Sequence, residues 1–304
     1  MRALTLGLSL SSIFLFACDG GGGGDTKVTG DDTGTTAGGP VLEDFINTNV
    51  TYAGDTTCFT SPDWLGAPAL RAEAGTLVSL EGWVEDFESG DNVPDASIDL
   101  YFSDDINGAV DESLTADGEG SFSTSVPVCQ PLGYKTYTPA DWEETRDTYE
   151  VHQIWGYEDD LLLTEPINSV SVSTSRIIPA ILGVEWTPGT GIVAGTAYDC
   201  NEEPITGAEV VVKDSSGKVM DVNIFYFVDE FPNQSQPETS PDGLWVVVNV
   251  PVGTFNVEMY VWDGTQHVLM GMTTLAIKAD SVNISNVYTG HDDGLRYPDS
   301  CLAQ

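Results

Sequence analysis

Three histidines, His152, His267 and His291, are the imidazoles of this chain, and their neighbours set what chemistry they could do. None lies in His-Glu-x-x-His, nor in the His-x-x-Glu pattern that opens a metallocarboxypeptidase zinc site. The residue three after His152 is Trp155. His152 and His267 fall in alternating apolar and polar runs and read as strand-edge residues. His291 opens a His-Asp-Asp-Gly turn and reads as exposed. The run Asp104-Asp105-Ile106-Asn107-Gly108, followed by Asp111-Glu112, places hard oxygen ligands in one loop. That is calcium chemistry, without the alternate-position spacing of a helix-loop-helix site. The same residues make ordinary hairpin turns. Trp142, Trp155 and Trp262 could stack on sugars, although a Trp in a β-sandwich more often packs. There is no Gly-x-Ser-x-Gly elbow and no phosphate loop. The acid pairs are too abundant for any two to stand out as general acid and base. No catalytic, cofactor or metal residue is therefore assigned, and the chain reads as a non-enzyme.

These residues sit in a chain of 304 with 10 Lys+Arg against 48 Asp+Glu, a formal net charge of −38. Phosphate backbones and anionic headgroups repel such a surface, which excludes nucleic-acid binding. The 41% of hydrophobic residues suffice for buried cores. Gly 32 and Pro 16, with Tyr 11, Phe 11 and Trp 7, favour strands and turns over a helical bundle.

The N-terminus carries an address. Arg2 precedes an apolar run from Leu4 to Ala17, too short to span a bilayer, which needs about 20 residues. The run ends in Leu15-Phe16-Ala17-Cys18, which resembles the lipobox of bacterial lipoproteins, with Phe16 larger than the usual residue there. The resemblance implies that residues 1–17 are a lipoprotein signal peptide and that Cys18 becomes acylated. The chain would then be tied to a membrane of the bacterial cell envelope through lipid alone. Asp19 leaves the choice of membrane open, with the outer membrane or cell surface favoured. Residues 18–40 contain Gly20-Gly21-Gly22-Gly23-Gly24 and almost nothing apolar. Such a segment cannot offset its ordering entropy by burial and reads as a disordered tether. Its root-mean-square reach would be roughly 25 Å.

The remainder repeats internally. One copy begins Val78-Ser79-Leu80-Glu81-Gly82-Trp83-Val84 and reaches Val93-Pro94-Asp95-Ala96-Ser97-Ile98. The other begins Ile192-Val193-Ala194-Gly195-Thr196-Ala197-Tyr198 and reaches Glu203-Pro204-Ile205-Thr206-Gly207-Ala208. Each then offers an acidic-Gly turn and an aromatic: Asp117-Gly118-Glu119-Gly120-Ser121-Phe122 and Asp242-Gly243-Leu244-Trp245. Alternation with tight turns predicts half-buried strands, the aromatic returning to the core face. The order of Gly, Pro, Gly-Ala, Asp-Gly-x-aromatic and Val250-Pro251-Val252-Gly253 resembles the carboxypeptidase regulatory-like domain. The second copy matches better than the first, where Asp95-Ala96 replaces Gly-Ala. The resemblance implies transthyretin-like sandwiches and says little about activity.

The expected fold is thus all-β: two tandem transthyretin-like or Ig-like antiparallel β-sandwiches after the tether. Residues 41–178 form the first with an N-terminal extension, residues 179–189 a joint, and residues 190–304 the second. The apolar stretch 177–188 either packs between the sandwiches or supplies the last strand of the first. Helix is expected only as single turns at Ser61-Pro62-Asp63-Trp64 and from Thr138 to Glu144. With Cys18 acylated, four cysteines remain in an exported chain, Cys58, Cys129, Cys200 and Cys301, and oxidation is expected. The repeat boundary selects Cys58–Cys129 within the first unit and Cys200–Cys301 within the second, each contributing about 4–5 kcal/mol at most. The function expected is a non-enzymatic envelope lipoprotein presenting sandwich modules to an envelope protein or glycan. The alternative is a carbohydrate-binding accessory protein of a secreted hydrolase.

Overall fold

The structure, a computed structural model, describes residues 39–59, 63–138, 145–158 and 162–303. The signal peptide, Cys18, nearly all of the tether, Trp142 and most of the two expected helical turns lie outside the described residues. No helix of the described residues is long and apolar enough to cross a membrane. Residues 40–304 form one compact unit.

The first copy supplies β1 (Leu77–Asp86), β2 (Ser97–Tyr101), β3 (Glu112–Thr115), β4 (Ser121–Pro127), β5 (Leu132–Tyr137), β6 (Thr145–Arg146), β7 (Thr148–Gln153) and β8 (Leu162–Ser171). A helix, α1 (Val172–Ile181), follows. The second copy supplies β9 (Gly191–Tyr198), β10 (Ala208–Asp214), β11 (Asn223–Val228), β12 (Phe231–Asn233), β13 (Leu244–Val250), β14 (Gly253–Trp262), β15 (His267–Ile277), β16 (Val282–Ile284) and β17 (Val287–Tyr288).

The repeat survives as strand pairing. In the first copy β4-β1-β8 run side by side, and in the second β13-β9-β16 do. Opposite them stand β2-β5-β7 and β10-β14-β15. The repeat glycines face the repeat aromatics across the same ladder, Gly82 opposite Phe122 and Gly195 opposite Trp245. Both rings are buried. A Cβ on Gly195 would come within 2.0 Å of the Ser285 carbonyl oxygen and 2.8 Å of the Trp245 ring, so a side chain there would part the sheet. Val78, Leu80, Ile98, Leu100, Val126 and Ile167 fill the first core. Val210, Val212, Val247, Val257, Met259 and Ile277 fill the second.

The all-β architecture is the expected one, but the sheets are mixed. β1 pairs with β8 in parallel, and β16 pairs in parallel with both β7 and β9. Such ladders arise where the last strand of a copy returns beside its first through a long connection. Because β16 also pairs with β7 of the other copy, one sheet runs unbroken from β12 to β3 through both sandwiches.

The terminal arms overturn the expected cysteine pairing. The disulfides are Cys58–Cys200 and Cys129–Cys301, not Cys58–Cys129 and Cys200–Cys301. The N-terminal extension, assigned above to the first sandwich, lies on the outer face of β10-β14-β15. There Ile46, with Leu42 and Phe45, packs on Val211, Val219 and Tyr260. Glu209 Oε1 accepts the backbone N–H of Asn47 at 2.8 Å and of Thr48 at 3.1 Å. Ala53 bridges to Thr206. Conversely, the C-terminal tail lies on the first sandwich. Leu302 bridges to Leu70, Arg71 N donates to the Cys301 carbonyl, and Ala303 N donates to that of Ala69. Each arm thus crosses to the copy more distant from it in sequence. The apolar faces it covers, rather than sequence proximity, decide where it lies.

The helix α1 replaces the expected strand-or-joint choice at its start. The Ser171 side chain accepts from Thr174 N as an N-cap, and Pro179 sits inside the helix. Beyond it Leu182, Val184 and Trp186 continue along the outer face of the long sheet against Phe227, Val246 and Val248.

Candidate binding cleft

The sequence-derived candidates are placed in structural roles. His152, in β7 at a left-handed φ of 62°, reaches into the second copy. Its Nδ1 lies 3.0 Å from both Ser285 Oγ and Thr273 Oγ1, and burial pushes its pKa down to about 4. His267 Nε2 lies 3.1 Å from Glu209 Oε2 and 2.7 Å from the Thr48 carbonyl, so it fastens the N-terminal arm. His291 is half-buried rather than exposed; burial lowers its pKa, and it stands edge-on to Tyr288. The calcium-like loop does not assemble a site. Asp105 accepts from Asn107 N and Asp111 from Phe102 N, and Asp104 accepts the backbone N–H of His152. Among the described residues no three His, Cys, Asp or Glu converge on a metal position. Trp155 packs against the first core, and Trp262 stands edge-on to His267 at 5.1 Å; both are half-buried.

What the structure assembles instead is a cleft of about 310 Å³. Its floor is the outer face of the long sheet, with Ile192 and Ala194 on β9, Val246 on β13 and Ile284 on β16. Thr174 and Ile178 of α1 form one wall. The polar end comes from the first copy, where Glu150 on β7 meets Asn168 on β8. Alternation alone would turn Glu150 to solvent; the joining of β7 to β16 covers it, and it is 6% exposed.

Glu150 is held on one side only. Its Oε2 accepts from Tyr134 OH and, at 3.0 Å, from Asn168 Nδ2. Asn168 N donates in turn to Tyr134 OH at 3.0 Å. Burial raises the Glu150 pKa, against the two donors. Burial, then the Glu150 charge, holds the Tyr134 phenol well above its usual range, so the phenol stays the donor. Among the described residues no cation pairs with this carboxyl. Sequence reading missed Glu150, Tyr134 and Asn168. The one signal was an acid between Tyr149 and Val151 inside a run that reads as a strand.

A second, smaller cavity of about 260 Å³ lies beside the Cys58–Cys200 disulfide, lined also by Tyr288, His291 and Arg296. Arg296 pairs with Glu202 at 2.9 Å across exposed surface. This disulfide is partly exposed, whereas Cys129 and Cys301 are buried.

No protein-family model matches the chain, and no curated protein matches it. Among solved structures, the TIE protein of Bacillus anthracis aligns at 14% identity over 70% of this chain, with a TM-score of 0.24. This chain spans 34% of that protein. A double mutant of the shaft pilin SpaA from Lactobacillus rhamnosus GG aligns at 10% identity over 70% of this chain and 98% of its own, TM-score 0.24. A streptococcal ancillary pilin aligns at 14% identity over 70% and 62%, TM-score 0.23. Superpositions this loose carry no argument, and the β architecture rests on the strand pairing itself.

Proposed function

We propose that this chain is a non-enzymatic lipoprotein of the bacterial cell envelope, tethered through Cys18, that presents a rigid pair of β-sandwiches for contact with an envelope protein or glycan. The observation that carries the reading is the double clasp. Each terminal arm is disulfide-bonded to the other copy, and a shared sheet joins the two. A head so fastened holds its surfaces in fixed relation, as a presenting module requires. The ionisable side chains singled out by sequence are engaged in packing, caps and arm contacts, which is the pattern of a scaffold. The lipobox resemblance and the apolar run before it support the anchor. The test is Cys18→Ser in the full-length protein expressed in a bacterial host. Wild type is expected to incorporate labelled palmitate and to sediment with membranes. The variant is expected to lose the label and appear in the soluble fraction. Equal sedimentation without label in both would overturn the anchor, and turnover of a peptide or glycan library would overturn the non-enzymatic reading.

A further inference from the structure

The cleft between α1 and the long sheet has a chemistry that specifies an occupant. Its floor is aliphatic, and at about 310 Å³ it falls at the small end of ligand cavities, which run about 300–1,000 Å³. Its polar end offers acceptors. Of the donors there, Tyr134 OH and one N–H of Asn168 Nδ2 are engaged by Glu150 Oε2. Glu150 Oε1 and Asn168 Oδ1 are left without a hydrogen-bond partner among the described residues, and Glu150 forms no ion pair. A carboxyl that is buried but unpaired is costly unless something supplies the missing positive charge. Among the described residues, Trp245 Nε1–H is the one other polar group of the cleft that is buried without a hydrogen-bond partner, and three more are already used. Asn286 Oδ1 accepts from Thr196 N, Ser175 Oγ donates to the Val172 carbonyl, and Thr174 Oγ1 donates to Glu88. At the Glu150 end a bound molecule must therefore donate hydrogen bonds, and along Ile192, Ala194, Val246 and Ile284 it buries hydrocarbon.

We propose that this cleft binds a small amphipathic primary amine, its ammonium on Glu150 and Asn168 Oδ1 and its apolar body along Ile192, Ala194, Val246 and Ile284. This names the occupant of the presenting module proposed above and does not depend on the lipid anchor. An ammonium suits the site because it carries donors only, three of them, which is enough for both free acceptors, together with a positive charge. A carboxylate would meet Glu150 with like charge. A neutral alcohol would satisfy one acceptor and leave the charge unpaired.

The experiment uses the intact ectodomain with four probes: hexylamine, hexanol, hexanoate and ethylamine. Binding is read by calorimetry at 150 mM salt, which screens the exposed carboxylates of this acidic surface. Hexylamine is expected to bind at least tenfold more tightly than hexanol, with hexanoate not binding. Ethylamine, which keeps the charge but lacks the body, is expected to bind at least tenfold more weakly than hexylamine. Glu150→Gln keeps the shape and an acceptor for Tyr134, and is expected to remove the preference for amine over alcohol. Ala194→Phe fills the floor and is expected to abolish binding of both. Thermal melting of each variant separates loss of binding from loss of fold. Equal binding of ethylamine and hexylamine, an amine preference that survives Glu150→Gln, or no binding by folded wild type would each overturn the proposal. None of these outcomes bears on anchoring through Cys18.

Discussion

The N-terminal arm and the C-terminal tail do the same job on opposite copies by different means. The N-terminal arm lies over a sheet face and is held by a buried carboxylate. Glu209, 1% exposed, gathers the Asn47 and Thr48 N–H groups and His267. Its disulfide, Cys58–Cys200, is partly exposed and borders an open cavity. The C-terminal tail instead enters the core. Cys301 is fully buried, Cys129 is 1% exposed, and Tyr297 packs alongside. The difference teaches that one arm is a polar strap over a finished sandwich, whereas the other completes an unfinished one. The first copy was the poorer match to the repeat pattern, and it is the copy that borrows core from the far end of the chain.

The largest test of that contrast is removal of each bridge. The two closed loops are similar, 142 and 172 residues apart in sequence, so chain entropy alone gives each an upper value of about 5 kcal/mol. Burial separates them. Cys129→Ala/Cys301→Ala is expected to cost about 4 kcal/mol in urea unfolding, because it also opens the first core. Cys58→Ala/Cys200→Ala is expected to cost about 3 kcal/mol, the middle of the typical disulfide range, because little core is lost with it. Equal losses would remove the distinction between strap and core.

Glu209→Ala addresses the strap alone. It orphans two backbone donors and the His267 contact, a loss of about 2 kcal/mol. Hydrogen exchange should then quicken across 41–55 while β1 and β4 keep their protection; uniform quickening would show that the arm is part of the core. Mild reduction sharpens the contrast next. Access limits thiol attack, so Cys58–Cys200 should open about tenfold faster than Cys129–Cys301, an alkylation time course reading the order.

The smallest effect lies where the chain leading to the tail passes the first copy. Burial, with the Asp293 charge, pushes Asp104 up to about 6, and burial pushes His152 down to about 4. A carboxyl with a raised folded pKa binds protons better when folded, so its contribution falls as pH rises from about 4 to 6. A histidine with a lowered folded pKa binds them better when unfolded, so its contribution rises from about 4 to 6.5. The two slopes oppose each other. Asp104→Asn should leave the histidine slope uncovered, steepening the rise in stability over that window by about 1 kcal/mol relative to wild type, after allowance for solvent screening. An unchanged profile would contradict the assignment.

The repeat was legible because glycine, acid-glycine turns and aromatics recur in the same order. The structure places Gly82 with Phe122 and Gly195 with Trp245 as that order implies. Helix α1 was not legible. Its sequence, Val172-Ser173-Thr174-Ser175, is rich in residues of low helix propensity, and Pro179 lies inside it. The helix forms because an apolar sheet face needs covering. The cleft was illegible for a related reason. Glu150 and Asn168 come from one copy and Ala194 and Val246 from the other, and only the β7–β16 ladder brings them together. The cysteine pairing failed on one assumption, that an arm packs on its nearest sandwich.

The crossed clasp is tested most directly by peptide mapping of the native, unreduced protein. Protease digestion with thiols blocked should yield peptides joining Cys58 to Cys200 and Cys129 to Cys301, which become separate on reduction. Peptides joining Cys58 to Cys129 or Cys200 to Cys301, or alkylated free thiols at these positions, would contradict it and return each arm to its own sandwich.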